Sequence, residues 1–316
     1  MPRWTASRAR RYKPRRPPVI RATNLSWATG LTAGGAALAA AIAAPLAWSI
    51  GGVVMRSVET AGPWEQAFWR ALGGAIAVCI AIVVTGPGQA AASLRSAGLA
   101  AAASAVFIGA TFVVHVLAMN ATAVANVLFL QTASPLLMPI LAWIFLREAP
   151  RRATLLAAAL AAAGLAPIVV ASVGGGRLAG DVLALTSAMC GAANVLVVRH
   201  AKATNLVPVV AIAGFGAALA AAAMGSPSSV SLGDAAALLG LGVVQISIGL
   251  SLFLFALRHL PAAPVALLTL LEPVVGPVLV WAFVGEVPPG ATLAGGAVVL
   301  AAMLLSIRAT ARQATP

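Results

Sequence analysis

The chain has 316 residues, 61% of them hydrophobic and only 9% charged. Soluble domains carry about 25% charged residues, so a water-facing surface cannot be built from this composition and soluble classes are excluded. The net charge of +13 invites a nucleic-acid reading, but eight of the twenty basic residues fall in the first 21 positions (Arg3, Arg8, Arg10, Arg11, Lys13, Arg15, Arg16, Arg21). A basic stretch beside an apolar segment fixes topology or meets anionic lipid instead.

Residues 1–30 read as a basic, disordered cytoplasmic tail, rich in proline and without an apolar period. The apolar run from Leu31 to Met55 is longer than a signal-peptide core, so it predicts an uncleaved first helix. A bilayer crossing takes about 20 apolar residues. Ten segments are expected to cross: 32–55, 66–86, 97–119, 122–146, 153–174, 181–199, 205–225, 233–257, 262–284 and 290–308. Their connections are short, which leaves no room for an inserted soluble domain. Residues 310–316 form a short C-terminal tail.

Basic residues orient the bundle. With the N-terminus in the cytoplasm, Arg95, Arg147, Arg151, Arg152, Arg199, Lys202, Arg258, Arg308 and Arg312 join the tail inside, and only Arg56 and Arg177 lie outside. Arg70 sits within the second segment. The excess of inside arginine and lysine follows the positive-inside rule.

The stretch Thr122–Thr154 recurs 138 residues later as Leu260–Thr292. Pro135 matches Pro273, Pro139 matches Pro277, Trp143 matches Trp281, Phe145 matches Phe283 and Glu148 matches Glu286. The chain is therefore two related halves, residues 31–175 and 176–309. Five segments per half is an odd number, so the second copy lies inverted relative to the first. Inverted repeats with helices broken at Pro135, Pro139, Pro273 and Pro277 point to a secondary transporter.

Seven acids exist: Glu59, Glu65, Glu148, Asp181, Asp234, Glu272 and Glu286. Six lie in loops or at segment ends, where a solvated or helix-terminal charge is the plain expectation. Glu272 lies near the middle of the ninth segment, immediately before Pro273. A carboxyl at that depth faces an aqueous or protein-lined cavity and can take up and release a proton. Pro273 disfavours helical geometry at Glu272 and removes a backbone donor, so a broken helix beside a cavity is expected. A protonated glutamate bonded between helices is the structural alternative.

Other polar residues within segments are Asn126, Gln131, Thr132 and Ser134 in the fourth, Ser187 and Asn194 in the sixth, and Gln245, Ser247 and Ser251 in the eighth. Each would serve as interhelical glue or as a cavity contact. Segments five and ten lack polar side chains at mid-depth, which places them at the periphery. Arg70 could snorkel outward or, with His115, face an outer vestibule that attracts a carboxylate; by depth it lies too far for an easy ion pair with Glu272. Trp48 is an interface anchor or a cavity aromatic. The two cysteines, Cys79 and Cys190, imply neither disulfide framework nor metal spacing. No phosphate-binding glycine loop or metalloprotease motif occurs, and Gly174-Gly175-Gly176 is a loop signal. No cofactor, metal or nucleic-acid partner is expected, and no enzymatic activity.

The motifs resemble the EamA family of the drug/metabolite transporter superfamily. His259-Leu260-Pro261-Ala262-Ala263, Leu271-Glu272-Pro273-Val274, Pro277 and Gly285-Glu286 resemble the family's second-repeat pattern. Val124-Ala125-Asn126, Ser134-Pro135 and Leu146-Arg147-Glu148 resemble its first-repeat pattern, with Arg147 in place of the usual glycine. Phe68-Trp69-Arg70 and Ala47-Trp48-Ser49 resemble two further elements, the latter with serine for glycine, and Arg56 stands where lysine is common. The resemblance covers about residues 35–308 and implies ten helices in a 5+5 inverted arrangement, alternating access, and export of amino acids, drugs or related metabolites across a bacterial inner membrane.

The sequence thus predicts an all-α membrane protein with ten transmembrane helices in two inverted five-helix repeats. It predicts a secondary transporter, an exporter of small metabolites, amino acids or drug-like compounds, coupled to protons through Glu272. The expected cavity residues are Glu272, Trp48, Gln131, Asn194, Gln245, Arg70 and His115. Expected partners are a small-molecule substrate, membrane lipid and a second copy in a homodimer. An uncoupled channel or facilitator for small polar solutes is the rival reading.

Overall fold

The computed structural model describes residues 27–148, 152–201 and 207–314. The basic tail through residue 26, Arg151 and Lys202 lie outside the described residues. All regular structure among the described residues is helical. The first half holds α1 (Trp27–Ser49), α2 (Gly51–Ser57), α3 (Pro63–Thr85), α4 (Pro87–Ala97), α5 (Leu99–Ala121), α6 (Val124–Gln131), α7 (Ser134–Leu146) and α8 (Arg152–Gly174). The second holds α9 (Leu178–Ala201), α10 (Val207–Ala222), α11 (Leu232–Gly242), α12 (Leu250–His259), α13 (Ala262–Leu268), α14 (Leu271–Val284) and α15 (Gly290–Ala314). A π-helical turn, Val243–Gly249, joins α11 to α12.

Local chemistry explains the ends. Pro63 opens α3 at a position whose N–H has no helical partner anyway. Ser231 caps α11 by accepting from the Asp234 amide at 3.2 Å. Both Leu146 and Val284 are followed by a left-handed residue, Arg147 (φ 57°) and Gly285 (φ 78°). Glycine adopts that conformation without strain, whereas an L side chain does not. The repeat thus conserves a turn geometry that only its second copy fills with the favoured residue.

Two expectations about span are met only in part. Among the described residues, seven helical tracts are long and apolar enough to cross a membrane, or eight if α6 and α7, bent by 40° at their break, count as one. Helix α10, at 16 residues, and the Gly290–Leu305 part of α15 are apolar but shorter. At about 1.5 Å per residue those two stretches are below the length that a hydrocarbon layer of about 30 Å asks for. The expected tails are also trimmed by helix: α1 begins at Trp27 and α15 runs to Ala314.

Of the four prolines expected to break helices, two do so. The chain breaks at Thr132–Ala133 before Ser134-Pro135, and at Thr269–Leu270 before Glu272-Pro273. Pro139 and Pro277 instead sit inside continuous α7 and α14. Each removes only one ladder hydrogen bond there, and the helix continues past it.

The packing is symmetric between halves. Helix α3 packs on α10, and α8 on α15, each against its repeat mate. Likewise α5 packs on α9 as α12 packs on α1, and α6 meets α14. Small residues allow the closest approaches. A Cβ on Gly242 would collide with the Arg70 carbonyl oxygen, and Gly164 and Gly295 meet backbone to backbone between α8 and α15. The outward faces are apolar, with Leu156, Val170 and Val173 of α8 exposed. The repeat mates Trp143 and Trp281, like Phe145 and Phe283, are all more than half exposed.

Ion pairs also repeat. Arg56 Nε donates to Glu286 Oε2 at 2.8 Å, and Arg199 Nη2 to Glu148 Oε2 at 2.7 Å. Arg56 and Arg199 close the first segment of each half and stand 143 residues apart. Each pair joins one half to the other, at opposite ends of the bundle. The Arg56 end carries further ties. Asp234 Oδ2 accepts from Thr60 N at 2.7 Å and Thr60 Oγ1 at 2.5 Å, and Glu65 Oε1 accepts from Ser226 N at 2.6 Å.

Two stability outcomes follow. Arg147→Gly should raise stability by about 0.5–1 kcal/mol by relieving the left-handed strain, read as a higher unfolding midpoint in detergent; Gly285→Ala should lower it. Gly240 and Gly242 lie on one helix, but a Cβ on Gly240 meets open space. Gly240→Ala should therefore be neutral or stabilising, whereas Gly242→Ala should cost about 1–3 kcal/mol by overpacking against α3.

Candidate functional site

A cavity of about 730 Å³ lies between the halves, with Trp48, Arg70, His115, Gln131, Asn194, Gln245 and Glu272 all in its lining. Its lining is exposed at Leu257 and Arg258 and buried at Arg70 and Gln245. It therefore opens at the end of the bundle where α9 finishes and α10 begins. Beyond Arg70 the interior closes around buried Met55, Ala67, Met119 and Val124.

The floor of this cavity is a cross-half lock. Gln245 Nε2 donates to the Trp48 carbonyl at 2.7 Å, and Trp48 Nε1 donates back to the Gln245 carbonyl at 2.9 Å. Gln245 Oε1 accepts from Arg70 Nε at 2.8 Å. Three segments are thus tied by one amide. The π-helical turn carries Gln245, and such turns gather at functional sites. Gly51 and Gly249 lack the Cβ that would strike Gln245 and Trp48 respectively.

Arg70 does not snorkel, nor do Arg70 and His115 face a separate outer vestibule. Arg70 is 7% exposed, and its guanidinium lies 5.9 Å from the Phe112 ring centroid. The close packing of α3 on α10 and α11 shuts off the outward route. With its Nε fixed, the fork of Arg70 remains the one buried cation of the described cavity lining, and Arg70 and Glu272 share that cavity without an ion pair of 4 Å or less among the described residues.

The opposite wall holds a second network. Gln131 Nε2 lies 2.6 Å from His115 Nδ1 and donates to Ser187 Oγ at 3.0 Å. Asn194 Oδ1 accepts from Ser104 Oγ at 2.5 Å. Trp48, open between anchor and cavity roles, is in the lining and stacks at 5.6 Å, tilted, on Phe253.

Glu272 is half-buried in the first turn of α14, beside the break. Its repeat mate Ser134 stands at the same register of α7 and also lines the cavity. Both broken helices therefore start at the cavity, so their first-turn N–H groups have protein or cavity water to meet. Sequence reasoning did not single out Phe112, Gly191 or Arg258 as lining residues; they are common residue types that only packing brings to the site. It also placed Asp181 among solvated end charges, whereas Asp181 is fully buried. No cluster of three or more metal-ligating side chains occurs among the described residues.

Among curated proteins no sequence matches this chain. A solved crystal structure is similar to it with a TM-score of 0.58 at 18% identity, covering 89% of this chain and 98% of its own. At that identity the likeness concerns the fold alone. The EamA-like transporter family matches twice, at residues 34–170 and at 178–308. With both halves matched in tandem and a solvent-accessible cavity between them, the chain belongs to the EamA-like transporter family, as an integral membrane protein of small-solute transport.

Proposed function

We propose that this protein is a secondary active transporter of a bacterial plasma membrane, an exporter of small metabolites, amino acids or drug-like compounds. The observation that carries the proposal is the one-ended cavity between two related halves, with Arg70 and Glu272 both in its lining. A channel needs a continuous path, whereas here the Arg56–Glu286 end is closed by ion pair, capping carboxylates and apolar packing.

In this reading the short and broken helices together make ten crossings in two inverted sets of five. The arginine-rich end, with Arg199 and Arg258, is cytoplasmic, so the cavity faces the cytoplasm and receives cargo there. Rocking of the halves about the Trp48–Gln245–Arg70 lock would open the Arg56–Glu286 end and tighten the Arg199–Glu148 end. The symmetric pairing of arginine and glutamate gives each end an equivalent latch. Arg70 attracts the carboxylate of an anionic or zwitterionic cargo. Glu272 is the protonatable group that couples cargo to protons.

The test is proton flux in proteoliposomes loaded with a pH-sensitive dye and challenged with amino acids and amines. Wild type should move protons with at least one compound, and Glu272→Gln should abolish that flux together with its pH dependence. Arg70→Gln should raise KM for a carboxylate cargo by about tenfold or more, the loss of a charge-assisted hydrogen bond. Flux unchanged in Glu272→Gln would contradict the coupling role, and gradient-independent flux would indicate a facilitator.

A further inference from the structure

Away from the central cavity, Asp181 is the one carboxyl among the described residues that is completely buried, with 0% exposure. It lies in the first turn of α9, held in a cluster drawn from both halves. Thr122 Oγ1 donates to Asp181 Oδ1 at 2.7 Å, and Asn126 Nδ2 donates to the same oxygen at 3.1 Å. Asn126 Nδ2 also lies 3.1 Å from Ser172 Oγ and 3.2 Å from Thr122 Oγ1, so its two hydrogens face three acceptors. Thr292 Oγ1 donates to Asn126 Oδ1. Every protein donor thus goes to Oδ1, and Oδ2 has no protein partner among the described residues.

A buried carboxylate oxygen left without a donor is costly unless a cation meets it. The surroundings supply neutral oxygens from Thr122, Ser172 and Thr292, the ligand type that hard cations take. Asn126, Ser172 and Thr292 also line a separate cavity of about 290 Å³ that includes the exposed Arg177. The fold does not require this polarity. The repeat mates of Thr122 and Asn126 are Leu260 and Pro264, and the 143-residue spacing of Arg56 and Arg199 places Leu38 opposite Asp181.

We infer that Asp181, with Thr122, Asn126, Ser172 and Thr292, forms a second site that binds one Na+ at Oδ2. The charged groups nearby are few. Arg177 immediately precedes α9, the helix of Asp181, and at the α5–α6 turn Arg56 and Glu286 approach: Arg56 Nη2 donates to the Thr122 carbonyl at 2.8 Å and Val124 N to Glu286 Oε1 at 2.8 Å. The helices packed against the cluster, α6, α8 and α15, bring no other described charge to it. Thr122 therefore touches both Asp181 and the Arg56–Glu286 latch. Cation binding at Asp181 biases that latch, a consequence that rests on the transport reading, whereas the site itself does not.

The test uses the full chain in lipid nanodiscs. Unfolding midpoints are measured against Na+, with choline replacing it at constant ionic strength and pH; radioactive sodium binding is measured in parallel. A ligand that binds only the folded state raises the midpoint with its concentration. The wild-type midpoint should rise with Na+. Asp181→Asn should lose that response and Glu272→Gln should keep it. No response to Na+, a response that survives Asp181→Asn, or one that disappears with Glu272→Gln would overturn the site. If Asp181→Asn does not fold, Glu272→Gln protein carries the test, since it must still bind one sodium ion. Absence of that binding overturns the proposal, and its failure leaves the central-cavity flux measurement untouched.

Discussion

A backbone group in the hydrocarbon layer must find its hydrogen bond inside the protein or in cavity water. Among the described residues the helical ladder breaks at Thr132–Ala133 and at Thr269–Leu270, with a one-residue interruption at Ile50 besides. Much of the remaining architecture answers that constraint. Both breaks lead into helices that begin at the central cavity, α7 with Ser134 and α14 with Glu272. Polar side chains of α3, α5, α6, α9 and the α11–α12 tract surround that cavity or its cross-half lock, whereas Ser172 of α8 and Thr292 of α15 join the Asp181 cluster. Helices α8 and α15 pack on each other, with lipid-facing apolar residues outward.

Hydrophobic burial contributes little to cohesion between helices in lipid, so close backbone approach and interhelical hydrogen bonds carry more of it. The glycine contacts at Gly242, Gly164 and Gly295 are of the first kind. The Trp48–Gln245–Arg70 lock, the Gln131–His115–Ser187 bridge and the Asp181 cluster are of the second. Each of these networks joins different segments, and all three cross between halves. A pair of rigid halves meeting through such discrete contacts is suited to two arrangements rather than to continuous deformation.

Much of this was legible in the sequence because the repeat is internal evidence. The matched prolines, tryptophans and glutamates gave the two halves and the two breaks. An acid at mid-depth, Glu272, has few explanations, and the amides Gln131, Asn194 and Gln245 stood out against an apolar background. What was not legible depended on depth and on partners. Arg70 was read as near an interface because counting along α3 gives its height but not its cover. The packing of α10 and α11 supplies that cover. Asp181 looked like an end charge because it sits three residues into α9; its burial comes from Thr122, Asn126, Ser172 and Thr292, which no spacing rule connects to it.

The central claim is that the halves rock so that one end opens as the other closes. Distances between paired spin labels would test it most directly, with Cys79 and Cys190 first replaced. One pair, at Ser57 and Val287, spans the halves beside the Arg56–Glu286 latch; the other, at Phe145 and His200, spans them beside Arg199–Glu148. The account predicts opposite changes between acid and alkaline buffer, the first distance lengthening as the second shortens, with Glu272→Gln fixed in one arrangement. Distances that stay constant in every condition, or that lengthen together, would contradict it.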